Sequence, residues 1–286
     1  MKHVHFAFWG LMLMLTACAN IEGSSGLTLP TETAVPASTP SQAPTITEVV
    51  IIQPTLTQAA ATLTPQIFEV CSPLEDETFG TLPLIISKPL DIPGFGQDTG
   101  HHGVDFAYFK RGDRISIEGI EIYSILNGTT VLTLEDDNPL HPYGYTILIE
   151  TPLNELSEPL QQALLDGYLD VPDDPHYRLY CPNVTTPEIS GDFSVYHLYA
   201  HLEEIPSFNR GEEISCGMTI GSVGNTGQSS NPHLHLETRL GPSNASFTNM
   251  AHYDTFTLEE LSNYCLWRMS GYYQLFDPFL LFDAAD

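Results

Sequence analysis

The sequence predicts a mainly β fold: an antiparallel β-sheet domain with a helical insertion and a C-terminal helix. Three observations predict it. Short stretches of alternating β-branched and aromatic residues follow one another after residue 67, and Gly, Pro, Asn and Asp punctuate the gaps. Only two stretches show helical apolar spacing.

In chain order, the N-terminal segment stands apart from that fold. Lys2 precedes an apolar run from Phe6 to Ala17. Such a run is too short to cross a bilayer as a helix but suits the core of a secretory signal. It ends in Leu15-Thr16-Ala17-Cys18, which resembles the lipobox of bacterial lipoproteins. That resemblance implies a signal peptide over residues 1–17 and a lipid on Cys18, which would hold the protein outside the cell membrane. Residues 19–66 then hold ten Thr, six Pro, three acidic residues and no Lys or Arg. Such a composition buries too little apolar surface to fold, so residues 18–66 read as a disordered tether. As a flexible coil it would span about 40 Å, or about 150 Å drawn out as polyproline II.

The folded domain is expected over residues 67–286. Its strand candidates are "RISIEGIEIYSIL" (114–126), "GTTVLTLE" (128–135), "GYTILIET" (144–151), "FSVYHLYAHL" (193–202), "MTIGSVG" (218–224) and "HLHLETRL" (233–240). Hairpins that follow one another in this way favour antiparallel pairing. The helical candidates are 154–169 and 257–270, and Thr257 with Glu260 would form a capping box at the start of the second.

Nine Lys and Arg against 36 Asp and Glu give a formal charge of -27. This excludes a nucleic-acid backbone or an anionic membrane surface as the main partner. Chemistry must come from local pattern, and the histidines supply it. His233 and His235 alternate with Leu234 and Leu236, so on a strand both imidazoles share one face while the leucines enter the core. "GHHGVDFAY" adds His101 and Asp105, and "LYAHL" adds His201. Two His and one Asp would suffice for a catalytic zinc, which takes three protein ligands and keeps one position open.

These motifs together resemble the lysostaphin-type zinc endopeptidases that cut peptidoglycan cross-bridges. The family's H-x-x-x-D matches His101 to Asp105, its Y-x-H-L matches Tyr199 to Leu202, and its glycine-rich segment and P-H-L-H-x-E match Gly221 to Ser229 and Pro232 to Glu237. Asp277-Pro278 resembles its closing motif. The resemblance is close over residues 98–240 and loose elsewhere. It implies one zinc ion held by His101, Asp105 and His235, with His201 and His233 as the catalytic pair and either as the base. It further implies an antiparallel β domain with an open groove, acting on stem or cross-bridge peptides of peptidoglycan. His102 is the rival to His101, and the spacing to Asp105 favours His101. His197 shares a strand face with His201 but is expected to be structural, and His141, His176 and His252 have no partner pattern. The second functional reading is a catalytically inactive wall-binding or regulatory module of the same fold.

Two departures bear on specificity. Asn231 stands where the family usually has glycine, and residues 151–193 form an insertion where it has a tight hairpin. Because the insertion joins two predicted strands, one of which delivers His201, its ends are expected beside the groove. Finally, Cys71, Cys181, Cys216 and Cys265 in an oxidising compartment predict two disulfides, with all three pairings open.

Overall fold

A computed structural model of the chain describes residues 68–108, 114–171, 181, 187, 191–251 and 257–284. The signal, Cys18, the tether, His176 and His252 lie outside the described residues.

The fold is mainly antiparallel β, as the sequence predicts. Its strands are β1 (Ile86–Lys88), β2 (Val104–Phe106), β3 (Glu121–Tyr123), β4 (Gly128–Glu135), β5 (Tyr145–Pro152), β6 (Phe193–Ala200), β7 (Glu213–Ile214), β8 (Thr219–Ser222), β9 (Leu234–Pro242) and β10 (Gln274–Leu275). Eight of them form one sheet in the order β1-β2-β9-β6-β5-β4-β7, with β10 also on β9, while β3 and β8 pair separately. The stretch 114–126 yields only the short β3. Gly119, at φ 76°, breaks the run, although Ile117, Ile122, Ile125 and Leu126 still bury their side chains.

Strand β9 organises the site. Its whole length is buried, and β6 runs along one edge from Phe193↔Pro242 to Ala200↔His235. Its other edge is shared, β2 pairing at Leu234 to Leu236 and β10 at Arg239 and Leu240. Period-two alternation sends Leu234, Leu236 and Leu240 into a core with Val104, Phe106, Ile147, Ile149, Val195 and Tyr199. Each such buried leucine contributes about 2 kcal/mol. The opposite face carries His235, Glu237 and Arg239 in line. Cross-strand partners share a face, so Asp105 and Ala200 flank His235 there. Farther along, this second face packs an aromatic cluster of Tyr196, Trp267, Phe247 and Tyr273.

Trp267 of that cluster comes from α2 (Leu258–Arg268), which starts at the expected capping box. Thr257 Oγ1 accepts from Glu260 N–H and Glu260 Oε2 accepts from Thr257 N–H. A short α3 (Phe279–Phe282) follows Asp277-Pro278 and packs Phe279 and Phe282 onto the leucine side of the sheet.

The insertion contains α1 (Glu158–Gly167), which buries Leu160 and Leu164. Its ends do not lie beside the groove, where they were expected. The β5–β6 pairing runs from Ile147↔Tyr199 to Pro152↔Ser194, so the connection leaves the sheet at the end remote from His201. Seven residues separate Ser194 from His201, about 23 Å of extended chain. Beyond α1, Tyr168 Oη donates to Tyr272 O, and Cys181 is bonded to Cys265 of α2. The other disulfide, Cys71–Cys216, ties the first described segment to the turn after β7. Among the three possible pairings, the structure selects this one.

Candidate metal centre and active site

The residues brought together are His101, Asp105, His201, His233 and His235, around a cavity of about 510 Å³ also lined by Lys88, His102, Tyr143, Ser229, Asn231 and Arg268. No described residue between 154 and 190 lines it.

Backbone geometry permits the close approach. A Cβ on Gly103 would lie 2.6 Å from Leu236 O and 2.8 Å from the ring of His235, so only glycine lets the His101–Asp105 segment meet β9 this closely. On the other side, Gly144 and Gly227 face one another at φ 64° and 68°, and a Cβ on Gly227 would lie 2.3 Å from Gly144 N. This contact holds Thr226 against the β5 entry, with Tyr145 N–H donating to Thr226 Oγ1 at 3.0 Å.

The five groups divide by what their ring nitrogens do. His101 donates Nδ1–H to Pro89 O at 2.9 Å, and its Nε2 lies 3.0 Å from Asp105 Oδ1. His235 has Nδ1 2.7 Å from the same oxygen and Nε2 3.2 Å from Glu237 Oε1. One atom each from His101, Asp105 and His235 falls within 4.8 Å of the others. His101 Nε2 is a lone pair once its Nδ1–H is committed, and it faces a carboxylate oxygen. That arrangement asks for a cation between them. Burial opposes charge on His235, but hydrogen bonds to Asp105 and Glu237 raise its pKa to about 9. The donor set of two imidazoles and a carboxylate fits a zinc ion.

His201 and His233 are arranged differently. His201 terminates β6 with φ 62°, a left-handed conformation uncommon outside glycine, which turns its ring from the sheet edge into the cavity. Its Nδ1–H donates to Thr226 O at 2.8 Å, and among the described residues none bonds its Nε2. Burial, with the neighbouring His235 and His233, lowers its pKa to about 3, so the imidazole is neutral at physiological pH. His233 donates Nδ1–H to Asn231 O at 2.8 Å and holds Nε2 3.5 Å from Asp105 Oδ1. The two rings lie 4.7 Å apart. Both are neutral bases held by a backbone carbonyl, with the second nitrogen turned toward the cavity.

His102 is buried but turned away from the acceptor cluster, its Nδ1 accepting from Arg239 Nη2 at 2.9 Å. Burial and the nearby Arg268 lower its pKa to about 2. His197 is structural: it bonds Thr151 Oγ1 and Tyr199 Oη beneath the sheet. His141 Nδ1 accepts from the Gly144 N–H and so braces the same turn.

Sequence reasoning missed the layer behind His235. Glu237 is fully buried, and its Oε2 accepts from Arg239 Nε and Nη2 and from Trp267 Nε1. Arg239 Nη1 donates to Trp267 O and Tyr273 O. Period two placed Glu237 and Arg239 on the face of His235, which was a usable signal. Nothing local marked Trp267 or Arg268, whose role depends on how α2 docks.

The profile of Peptidase family M23 matches residues 184–248, which include His201, His233 and His235, while His101 and Asp105 lie upstream of the match. No curated protein matches the sequence. Among solved structures, the chain is similar to the catalytic domain of lysostaphin from Staphylococcus simulans, at 17% identity and TM-score 0.34, covering 73% of this chain and 99% of that one. It is also similar to a zinc-containing peptidase from Vibrio cholerae, at 18% identity and TM-score 0.33, covering 60% of this chain and 36% of that one. A third, a putative glycyl-glycine endopeptidase from Ruminococcus gnavus, shows 14% identity and TM-score 0.33, covering 71% and 61%. The chain thus spans about a third of the Vibrio cholerae structure.

Proposed function

We propose that the chain is a zinc-dependent endopeptidase that hydrolyses peptide cross-links of bacterial peptidoglycan, held outside the cell membrane by a lipid on Cys18. The observation that carries the reading is the convergence of three acceptor atoms, from His101, Asp105 and His235, beside two neutral histidines whose remaining nitrogens face the same cavity. His101, Asp105 and His235 would hold one zinc ion. Bound there, zinc supplies Lewis-acid polarisation of the scissile carbonyl and a lowered pKa for water. The protein's own groups do the rest. His201 and His233 stand within reach of one another and each turns an Nε2 lone pair to the cavity, so either can take a proton from the attacking water and, once protonated, donate that Nε2–H to the developing charge. The carbonyls of Thr226 and Asn231 fix both tautomers before substrate arrives. The match of residues 184–248 to Peptidase family M23 supports this assignment.

The experiment is a metal and activity comparison of variants. The mature chain should hold one zinc. His235→Ala should lose metal and activity together, whereas His201→Ala should keep the metal and lose activity by about 10²- to 10⁴-fold. Zinc lost from His201→Ala but kept by His101→Ala would refute the assignment.

A further inference from the structure

The cations of this acidic chain are placed unevenly. The described residues include five Lys and Arg: Lys88, Arg114, Arg210, Arg239 and Arg268. Two of them, Lys88 and Arg268, line the histidine cavity, and Arg239 lies directly behind it. Arg239 is consumed internally by Glu237, His102 and two backbone carbonyls. Arg268 is only partly consumed, its Nε–H pairing with Asp98, and Lys88 is not. Lys88 sits on edge strand β1 directly across from Asp105 and makes no ion pair among the described residues. Arg268 extends from the last turn of α2, with Nε–H on Asp98 Oδ1 at 2.8 Å and Nη1–H on Tyr143 Oη at 3.1 Å. Its guanidinium stacks against the rings of Tyr143 and Tyr264, at 5.7 and 5.3 Å to the centroids. These contacts fix its plane and leave its Nη2 without a partner among the described residues. Nη1 lies 3.8 Å from Glu237 Oε1, the oxygen bonded to His235, so the guanidinium is one carboxylate removed from the proposed metal ligand.

A rigid guanidinium with a spare N–H edge is suited to a carboxylate, and a nearby ammonium adds a second positive charge. In a chain of net charge -27 this pair sits in a field that would otherwise repel such a ligand. Resting on the peptidase reading above, we infer that Arg268 and Lys88 form a carboxylate-recognition subsite, and that the preferred substrate is a cross-link whose flanking residue bears a free carboxylate. A neutral polyglycine bridge would offer no carboxylate to Lys88 or to the Nη2 edge of Arg268. The carboxylate could belong to a side chain beside the scissile amide or to the peptide's C-terminus.

The test uses three versions of one soluble cross-linked muropeptide dimer: unmodified, amidated only at the flanking side-chain carboxylate, and amidated only at the C-terminus. With the zinc-loaded chain, amidation of the recognised carboxylate should raise KM about ten- to a hundredfold and change kcat little. The arm that shows the rise identifies the source. Arg268→Gln and Lys88→Gln should each erase most of that preference, and Arg268→Lys should restore part of it. Lys88 is exposed, so its variant keeps the test valid if Arg268→Gln fails to fold. Equal kcat/KM on all three dimers, or a preference that survives both Gln variants, overturns the inference while leaving the peptidase reading intact. If no dimer is cleaved, the peptidase reading fails, and calorimetric titration of the dimers into the metal-free chain still decides. Tighter binding of the unmodified dimer that depends on Lys88 and Arg268 supports the subsite, and equal binding overturns it.

Discussion

His235 directs Nε2–H to Oε1 of Glu237 at 3.2 Å, while its other nitrogen meets Asp105 at 2.7 Å. The carboxylate thereby fixes which nitrogen faces the cavity. Glu237 is itself held by Arg239 and Trp267, so the orientation of a proposed metal ligand is determined by a helix about thirty residues downstream. Burial disfavours its charge, but the Arg239 guanidinium and His235 hold its carboxyl well below the usual range.

Replacing Glu237 should therefore weaken metal binding without removing a metal ligand. Loss of such an outer partner costs about 10- to 100-fold in affinity. Glu237→Ala also leaves Arg239 buried without its counter-ion, a destabilisation of about 3–5 kcal/mol. Competition titration against a zinc chelator, on the folded fraction, should show the weakened affinity; unchanged affinity would mean Glu237 serves packing alone.

Acid should destabilise the fold partly through His197. Burial lowers its pKa to about 3, against an ordinary value of 6.5. The folded state keeps it neutral, whereas the unfolded chain takes a proton below pH 6.5. Stability from this group is complete above pH 6.5 and is lost as pH falls toward 3, amounting to a few kcal/mol, about 1.4 per pH unit. In urea unfolding at pH 7 and pH 4, His197→Leu should show a smaller loss between the two than the unaltered chain. An equal loss would assign the acid sensitivity to other groups.

The disulfides should map as Cys71–Cys216 and Cys181–Cys265. Peptide mapping of the unreduced chain tests the pairing, and free thiols at two or more of these positions would contradict it. Both close long loops, and removing either should cost about 2–5 kcal/mol.

Because Cys181 staples the insertion to α2 while no described insertion residue lines the cavity, the insertion should matter for stability more than for specificity. Replacing residues 154–190 by a short turn, together with Cys265→Ser, should lower the melting temperature and leave cleavage products unchanged. A changed product pattern would place part of the insertion at the groove.

The order and register of the site were legible because they depend on local period. Alternation alone put His233 and His235 on one face and Leu234 and Leu236 on the other, and the capping box announced the start of α2. The insertion was misplaced because a strand that delivers His201 at one end receives its connection at the other. That distinction is set by pairing direction, which composition does not encode. Arg268 was invisible for a related reason: its place in the cavity depends on α2 packing across Trp267 against Glu237. The cysteine pairing likewise required the chain to be folded before any of three options could be chosen.

The central claim is hydrolysis of peptidoglycan peptides by a site built on His101, Asp105 and His235 with His201 and His233. Its most direct test is digestion of purified peptidoglycan by the zinc-loaded mature chain, with the new amine and carboxyl ends identified by mass spectrometry. The expected result is one defined pair of peptide ends, absent with the metal-free chain and with His233→Ala. Peptidoglycan left intact by a chain shown to be folded and zinc-loaded would contradict the account and favour a binding module of the same fold.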